Sequence, residues 1–347
     1  MSKRNGVIAA AIAAVLLVSI TYSSMISAKV DTFSNTVRIG FFPNISHAQA
    51  LVGSANGSFE RALEGTNVQY KMFNAGPSAI ETLFTNQVDM TYVGPSPAIN
   101  GYIRTDGEGL KVIAGAASGG VLFVVRADSG IESSKDLAGK KLTSPQYGNT
   151  QDTSLKSYIR DNGLKLAEYG GSVYVLSAEN SDSMILFLKK EIDGAWVPEP
   201  WGSILVKNAN GKIFVDERDL WPEGEFATAI LVARSEFLDK HPDLVKKVLR
   251  AHVEITQWIN EHPEEAEKTI NARLKTLLGR DLPPDVMHEA FSRLQVTYKP
   301  MKFSLIKFAE EAYELGMLGR EKPDLSDIYY APLLNEVLQE KDLPIVE

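Results

Sequence analysis

Several short segments of this chain cluster Gly, Ser, Asn, Thr and Gln where an apolar run ends and a helical pattern begins. They are Pro43-Asn44-Ile45-Ser46-His47, Gly76-Pro77-Ser78, Gly94-Pro95-Ser96, Ser118-Gly119-Gly120, the run Gln146 to Gln151, and Pro198-Glu199-Pro200-Trp201. Most of these positions predict a strand running into a helix. A helix N-terminus presents unpaired N–H groups and partial positive charge, so it attracts an anion. One such end contributes about 0.3–1 kcal/mol toward a nearby charge. Several converging ends hold a sulfonate, nitrate or carboxylate without a dedicated arginine. The candidate contacts are Phe42, Asn44 and His47; Gly76, Pro77 and Ser78; Gly94 and Ser96; Ser118 and Gly119; Gln146, Gly148, Asn149, Thr150 and Gln151; Glu199 and Trp201. Each loop taken singly reads equally as a plain helix cap; their recurrence at successive strand ends is what points to a site.

Glu199 stands between two prolines, which hold it in an extended turn. It either pairs with a substrate ammonium or bonds backbone amides and shapes the pocket. Phe42, Tyr147, Trp196 and Trp201 are candidate aromatic walls, since small-molecule pockets are mostly apolar with few polar fixings; Trp196, inside an apolar run, reads equally as core.

Other chemistry is missing. Cysteine is absent, which removes disulfides, zinc-thiolate sites, thiol nucleophiles, iron–sulfur clusters and an N-terminal lipid anchor. The five histidines, His47, His241, His252, His262 and His288, form no metal-ligand spacing. There is no G-x-S-x-G, no P-loop and no G-x-G-x-x-G after a strand. The missing motifs do not by themselves exclude an enzyme, but they fit a binder with no cofactor and no metal. The net charge of −8 argues against nucleic acid.

The elements that must carry these loops follow from the chain's periodicity. The 347 residues, 44% apolar, suit two domains. One sentence is written twice: Val88-Asp89-Met90-Thr91-Tyr92-Val93-Gly94-Pro95-Ser96-Pro97 and Ile192-Asp193-Gly194-Ala195-Trp196-Val197-Pro198-Glu199-Pro200-Trp201. Each copy is an apolar–Asp step, a short buried strand, and a proline-stiffened turn into a helix. In open α/β sheets such turns lie at the carboxyl ends of strands, where ligands bind. Two of them predict two similar lobes facing one small molecule. Strands are expected at 37–42, 68–73, 90–93, 111–116, 121–126, 172–176, 194–197, 212–215 and 228–233, alternating with helices, and after about Ser235 almost only helix.

At the N-terminus, Lys3 and Arg4 precede the apolar run Val7 to Ile20, with Ala28 a possible cleavage point. Residues 1–28 are an export signal or an uncleaved membrane anchor; Gly6 to Ile26 would reach roughly 31 Å as a helix. Both readings put the folded part outside the cytoplasm.

The stretches Pro145-Gln146-Tyr147-Gly148-Asn149-Thr150-Gln151-Asp152, Trp196-Val197-Pro198-Glu199-Pro200-Trp201, and Asp216-Glu217 with Leu220-Trp221-Pro222 resemble the substrate-binding components of nitrate/sulfonate/taurine-type ABC importers. The Asn74-Ala75-Gly76-Pro77-Ser78 turn and Asp136 to Lys141 match the same family. The resemblance implies the α/β, two-lobe, periplasmic-binding-protein-like type II fold. Each lobe is then a mixed, mostly parallel sheet flanked by helices, with the ligand cleft between them. It divides the chain into lobe one at 36–125, lobe two at 126–226, and the completion of lobe one with C-terminal helices at 227–347.

It also implies a monomeric extracytoplasmic receptor, in the periplasm or on the outer membrane face. The receptor closes on a small anionic solute, foremost an aliphatic sulfonate, and docks on a permease driven by a cytoplasmic ATPase. Nitrate, cyanate or a thiamine-pyrimidine-like precursor are the alternative solutes. An enzyme on the same fold is opposed by the missing cysteine cluster and by the leader.

Overall fold

The computed structural model describes residues 35–346; the leader read over 1–28 lies outside them. In chain order the strands are β1 (Thr36–Phe41), β2 (Asn67–Met72), β3 (Met90–Val93), β4 (Leu110–Gly119), β5 (Val121–Arg126), β6 (Lys141–Ser144), β7 (Tyr174–Ser177), β8 (Gly194–Pro198), β9 (Gly211–Asp216), β10 (Ala227–Arg234) and β11 (Leu294–Val296). They form two sheets, β11-β4-β10-β3-β1-β2 and β7-β6-β8-β5-β9.

The two sheets are built alike. In the first, β1 runs parallel to β2 and β3, with Ile39 opposite both Tyr70 and Met90. Beside β3 lies β10, antiparallel, with Leu231 opposite Tyr92 and Ala114. In the second, β6 runs parallel to β7 and β8, with Thr143 opposite Leu176 and Ala195. Beside β8 lies β5, antiparallel, with Phe123 opposite Trp196 and Val215. Each lobe therefore receives its antiparallel strand from the chain segment next to a crossing. β5 enters lobe two directly from lobe one, and β10 returns to lobe one directly from lobe two.

The repeated apolar–Asp step is part of this likeness. Asp89 accepts the backbone amide of Arg38 on β1 at 2.9 Å and pairs with the Arg38 and Arg234 guanidinium groups. Asp193 accepts the amide of Lys141 on β6 at 2.9 Å and pairs with Arg126. Arg234 ends β10 and Arg126 ends β5. Both copies thus tie the first strand of a lobe to its antiparallel strand.

The helices are α1 (Ala48–Asn56), α2 (Ser58–Ala62), α3 (Gly76–Phe84), α4 (Pro95–Arg104), α5 (Thr150–Asp161), α6 (Asn180–Leu188), α7 (Trp201–Asn208), α8 (Ser235–Lys240), α9 (Pro242–Glu261), α10 (Pro263–Leu278), α11 (Pro284–Ser292), α12 (Lys302–Glu314) and α13 (Pro332–Glu340). Proline opens α3, α4, α9, α10, α11 and α13 in their first turn. There its missing N–H costs nothing and its fixed φ suits the helix. Leu244, Val245, Val248, Leu249, Ile255 and Ile259 recur along one buried face of α9, at the helical period. They join Leu51, Phe59, Phe237 and Leu334 in the core of lobe one. β10 is buried along its whole length, as a strand covered by helices on both faces must be. Among the described residues no helix is long and apolar enough to cross a membrane.

Three features depart from the expected layout. The chain first leaves lobe one at Gly119-Gly120, not at 125/126, because β5 belongs to the second sheet. Both glycines have positive φ, 71° and 68°, a region other residues avoid. Nothing local distinguishes this crossing from a turn within one sheet. β4 also extends to Gly119, so Ser118 and Gly119 lie in a strand and not in a loop. Finally, β11 interrupts the helices of the C-terminal part; a three-residue strand has no period to detect.

Candidate functional site

The strand ends of the two lobes converge on a cavity of about 40 Å³. From lobe one come Phe42, Asn44, Ser46, His47, Asn74, Ala75, Gly76, Gly94 and Thr228; from lobe two come Pro145, Asn149, Gln151, Asn180 and Pro198. Among the described residues, none lining it carries a formal side-chain charge. It is walled by amides, hydroxyls, one imidazole, one phenyl ring and the first turns of helices.

After β1 the chain bends through Phe42–Asn44 into a short turn before α1. The Phe42 amide donates to His47 Nδ1 at 3.2 Å, so Nε2 carries the proton and is a donor. His47 is 3% exposed, and burial lowers its pKa to about 3. The ring is therefore neutral at physiological pH, held edge-on against Phe42 at 4.6 Å between centroids. Ser46 Oγ donates to Asn44 Oδ1 at 2.6 Å, which leaves the Asn44 NH₂ for other acceptors.

The lobes meet at glycines. A Cβ on Gly76 would fall 2.3 Å from Pro97 Cγ and 3.1 Å from Asn149 Oδ1. One on Gly94 would fall 2.4 Å from Thr150 Oγ1. Gly94 is the N-cap of α4, and the Ser96 amide, in the first turn of that helix, donates to Thr150 Oγ1 at 3.3 Å. The N-termini of α4 and α5 thus face each other across the cleft with little between them.

On the lobe-two side, Asp152 shapes the loop before α5. Fully buried, it accepts from Ser144 Oγ at 2.8 Å, the Gly148 amide at 2.9 Å and Lys156 Nζ at 3.0 Å. This holds Gly148 at φ 74° and leaves Asn149 and Gln151 in the cavity wall. Asn180 opens α6, and its Oδ1 is buried without a hydrogen-bond partner.

Of the residues expected at the site, Phe42, Asn44, His47, Gly76, Gly94, Asn149 and Gln151 line the cavity. Ser96 and Thr150 join the lobes beside it. Pro77 lies in the first turn of α3, and Ser78 turns its hydroxyl to the Ala75 carbonyl, exposed to solvent. Gln146 and Gly148 belong to the loop but not to the wall. Ser118 Oγ accepts the Phe226 amide at 3.2 Å, and the Gly119 carbonyl accepts from Thr228 Oγ1.

Glu199 does not reach the cavity. Its carboxylate accepts the Ser203 amide and hydroxyl, both at 2.9 Å, and Arg293 Nη1 at 3.2 Å. It caps α7 and joins lobe two to an arginine beside β11, with burial pushing its pKa up. Trp201 lines a neighbouring apolar hollow instead. Trp196 is core, stacked on Phe123 at 5.1 Å, with Nε1 donating to Glu217 at 2.6 Å. Tyr147 is 56% exposed, and Lys156 Nζ lies 4.3 Å from its ring centroid.

The candidate contacts read from sequence missed Ser46, Asn74, Ala75, Pro145, Asn180, Pro198 and Thr228. Asn180 carries a signal, a helix-capping residue type just past a strand. No three or more His, Cys, Asp or Glu among the described residues are grouped to hold a metal ion.

Two α/β lobes, each taking an antiparallel strand next to a crossing and together facing a polar cavity, have the periplasmic-binding-protein-like type II fold. Solved structures agree. The alkanesulfonate-binding protein SsuA of Xanthomonas axonopodis pv. citri, bound to MOPS, superimposes with a TM-score of 0.69 at 18% identity, covering 82% of this chain and 94% of that one. The periplasmic nitrate-binding protein NrtA of Synechocystis PCC 6803 gives 0.74 at 14%, covering 89% and 90%.

The chain belongs to the NMT1-like family, whose sequence pattern it matches over residues 32–274. A putative aliphatic sulfonates-binding protein of Bacillus subtilis (strain 168) is 25% identical over 315 residues, 88% of each chain. The taurine-binding periplasmic protein of Escherichia coli (strain K12) is 25% identical over 242 residues, 67% of this chain and 72% of its own.

Proposed function

We propose that this chain is the extracytoplasmic receptor of an ABC importer for a small organic anion, foremost an aliphatic sulfonate. It acts as a monomer, with lobes at 36–119 plus 227–347 and at 120–226. It closes on one solute and presents it to a membrane permease served by a cytoplasmic ATPase.

The observation that carries this reading is the cavity lining. It combines helix N-terminal turns with neutral donors from Asn44, His47, Asn149, Gln151 and Asn180, and no carboxylate among its described residues. An ammonium would find no countercharge there, whereas an anion meets N–H groups and helix dipoles. The same lining speaks against a solute that needs Glu199 as its partner. The names of the Bacillus and Escherichia relatives support a sulfonate head.

The test is a thermal-shift and calorimetric screen over methanesulfonate, ethanesulfonate, taurine, nitrate and cyanate. A ligand at a hundred times its dissociation constant adds about 2.7 kcal/mol to the folded state. The expected outcome is one-to-one binding of a sulfonate with no conversion to product. Absence of stabilisation by every anion overturns the proposal.

A further inference from the structure

A separate cavity, of about 320 Å³, lies where α5 and the turn after β9 meet α12. It shares no lining residue with the cleft cavity. Ser157 and Tyr158 face it from α5, Glu217 and Trp221 from the turn, Lys307 and Glu311 from α12. α5 and the turn belong to the second lobe. α12 follows the return of the chain to the first, where Ser304 Oγ accepts the Ala227 amide of β10 at 3.0 Å. The cavity therefore lies across the two lobes.

Two groups in its wall lack what burial normally demands. Ser157 is 3% exposed, yet its Oγ has no hydrogen-bond partner among the described residues; a native structure rarely leaves a buried hydroxyl so. The Glu311 carboxylate, its side chain 14% exposed, accepts no hydrogen bond among the described residues and stands 3.8 Å from Lys307 Nζ. Glu217, by contrast, is held by Ser154 Oγ at 2.7 Å and by Trp196 Nε1 at 2.6 Å.

Among the described residues the lining carries three carboxylates, Asp161, Glu217 and Glu311, against one cation, Lys307. That cation shows what the wall accepts. Lys307 Nζ lies 4.1 Å from the Trp221 ring centroid and donates to the Leu220 carbonyl at 3.3 Å. Its side chain is 43% exposed, so it can yield its place. An ammonium arriving from solvent would find the Glu311 carboxylate, the Ser157 Oγ lone pairs and the Tyr158 and Trp221 rings. An anion would meet like charge.

We propose that this cavity is a second binding site, for a small aliphatic ammonium compound, with Glu311 and Ser157 as its principal contacts. A ligand there touches α5 and α12 at once and so bridges the lobes away from the cleft.

Calorimetry with n-propylammonium, ethanolamine and putrescine at pH 6 and pH 8 tests it. Burial raises Glu217 and Glu311 to about 7, so a bound cation must displace their protons at pH 6 and not at pH 8. The other charged groups facing this pair are Lys307 on α12 and Asp161 and Arg160 on α5; Arg160 is engaged by Asp161 at 2.8 Å and Glu314 at 2.9 Å. One-to-one binding of at least one amine is expected, tighter at pH 8 by about tenfold for each carboxylate that must ionise. Glu311→Gln should weaken it at least tenfold and reduce the pH response, and Ser157→Ala should weaken it several-fold. Circular dichroism matching the parent protein shows each variant to be folded. No binding by any amine, binding untouched by Glu311→Gln, or an equal effect from potassium chloride overturns the site. Failure of the sulfonate reading leaves it standing, because the two cavities share no residue and are read with different ligands.

Discussion

Burial leaves His47 uncharged at physiological pH, since a proton on it would put a cation among Phe42, Tyr92 and the strand ends without a counterion. In the proposed function it would meet an anion as a hydrogen-bond donor, not as a charge. The same would hold for Asn149 and Asn180, neutral amides in the cavity wall. Replacing either by Asp changes the shape little and reverses the chemistry, because the new carboxylate faces the bound anion. Asn149→Asp and Asn180→Asp should each weaken anion binding at least tenfold more than the matching change to Ala, read by calorimetry. An Asn149→Ala change, which only deletes a donor to a charge, should cost about 1.5–3 kcal/mol of binding. Equal losses for Asp and Ala would mean that the cavity does not sense charge.

Residues whose roles are set by near neighbours were legible in the sequence, and those set by distant ones were not. Gly76-Pro77 and Gly94-Pro95 announce helix starts within a few residues, and the helices begin there. Glu199 gave no local sign that its countercharge is Arg293, 94 residues on. Ser118 likewise gave none that it would take the Phe226 amide, 108 residues on. The two sheets and most of their strands followed from alternating apolar runs, whereas the crossing at Gly119-Gly120 depends on which sheet receives β5. The repeated Asp is the clearest element-scale signal. Its two copies differ in burial: Asp89 is fully buried, while Asp193 has a side chain 21% exposed. Removing one partner of a buried ion pair costs about 3–5 kcal/mol. Asp89→Ala should lose that much in urea denaturation, with Arg38 and Arg234 left facing each other. Asp193→Ala should lose distinctly less, because Asp193 is itself partly exposed and Arg126 keeps Asp128 as a partner at 3.2 Å.

Across the whole molecule, buried groups of opposite kind set the response to pH. Burial lowers His47 to about 3 and His252 to about 4. Between those values and about 6.5 the unfolded chain binds more protons at these sites. Their contribution is therefore complete above pH 6.5 and is lost as pH falls toward 3. Burial raises Glu217 and Glu311 to about 7. Between about 4.5 and 7 the folded chain binds more protons there, so their contribution is complete below 4.5 and is lost as pH rises through 7. Two rising and two falling slopes oppose each other between pH 4.5 and 6.5. Stability in urea should be nearly flat across that interval and decline on both sides; a single steep slope through it would refute the balance.

The exchange of strands also dictates an order of events in time. β10 occupies the middle of the first sheet, between β4 and β3, yet it is made only after every strand of the second. Until residue 234 has been synthesised, β3 and β4 have no strand between them, and the buried face that β10 completes stays open to solvent. Lobe two has all five of its strands by residue 216 and can fold first. A chain stopped after residue 226 should protect lobe two from protease and leave residues 35–119 open to cleavage. The larger lobe supplies the first of the described strands and is the last to be completed, so residues 35–119 wait for their central partner until the second lobe has been made.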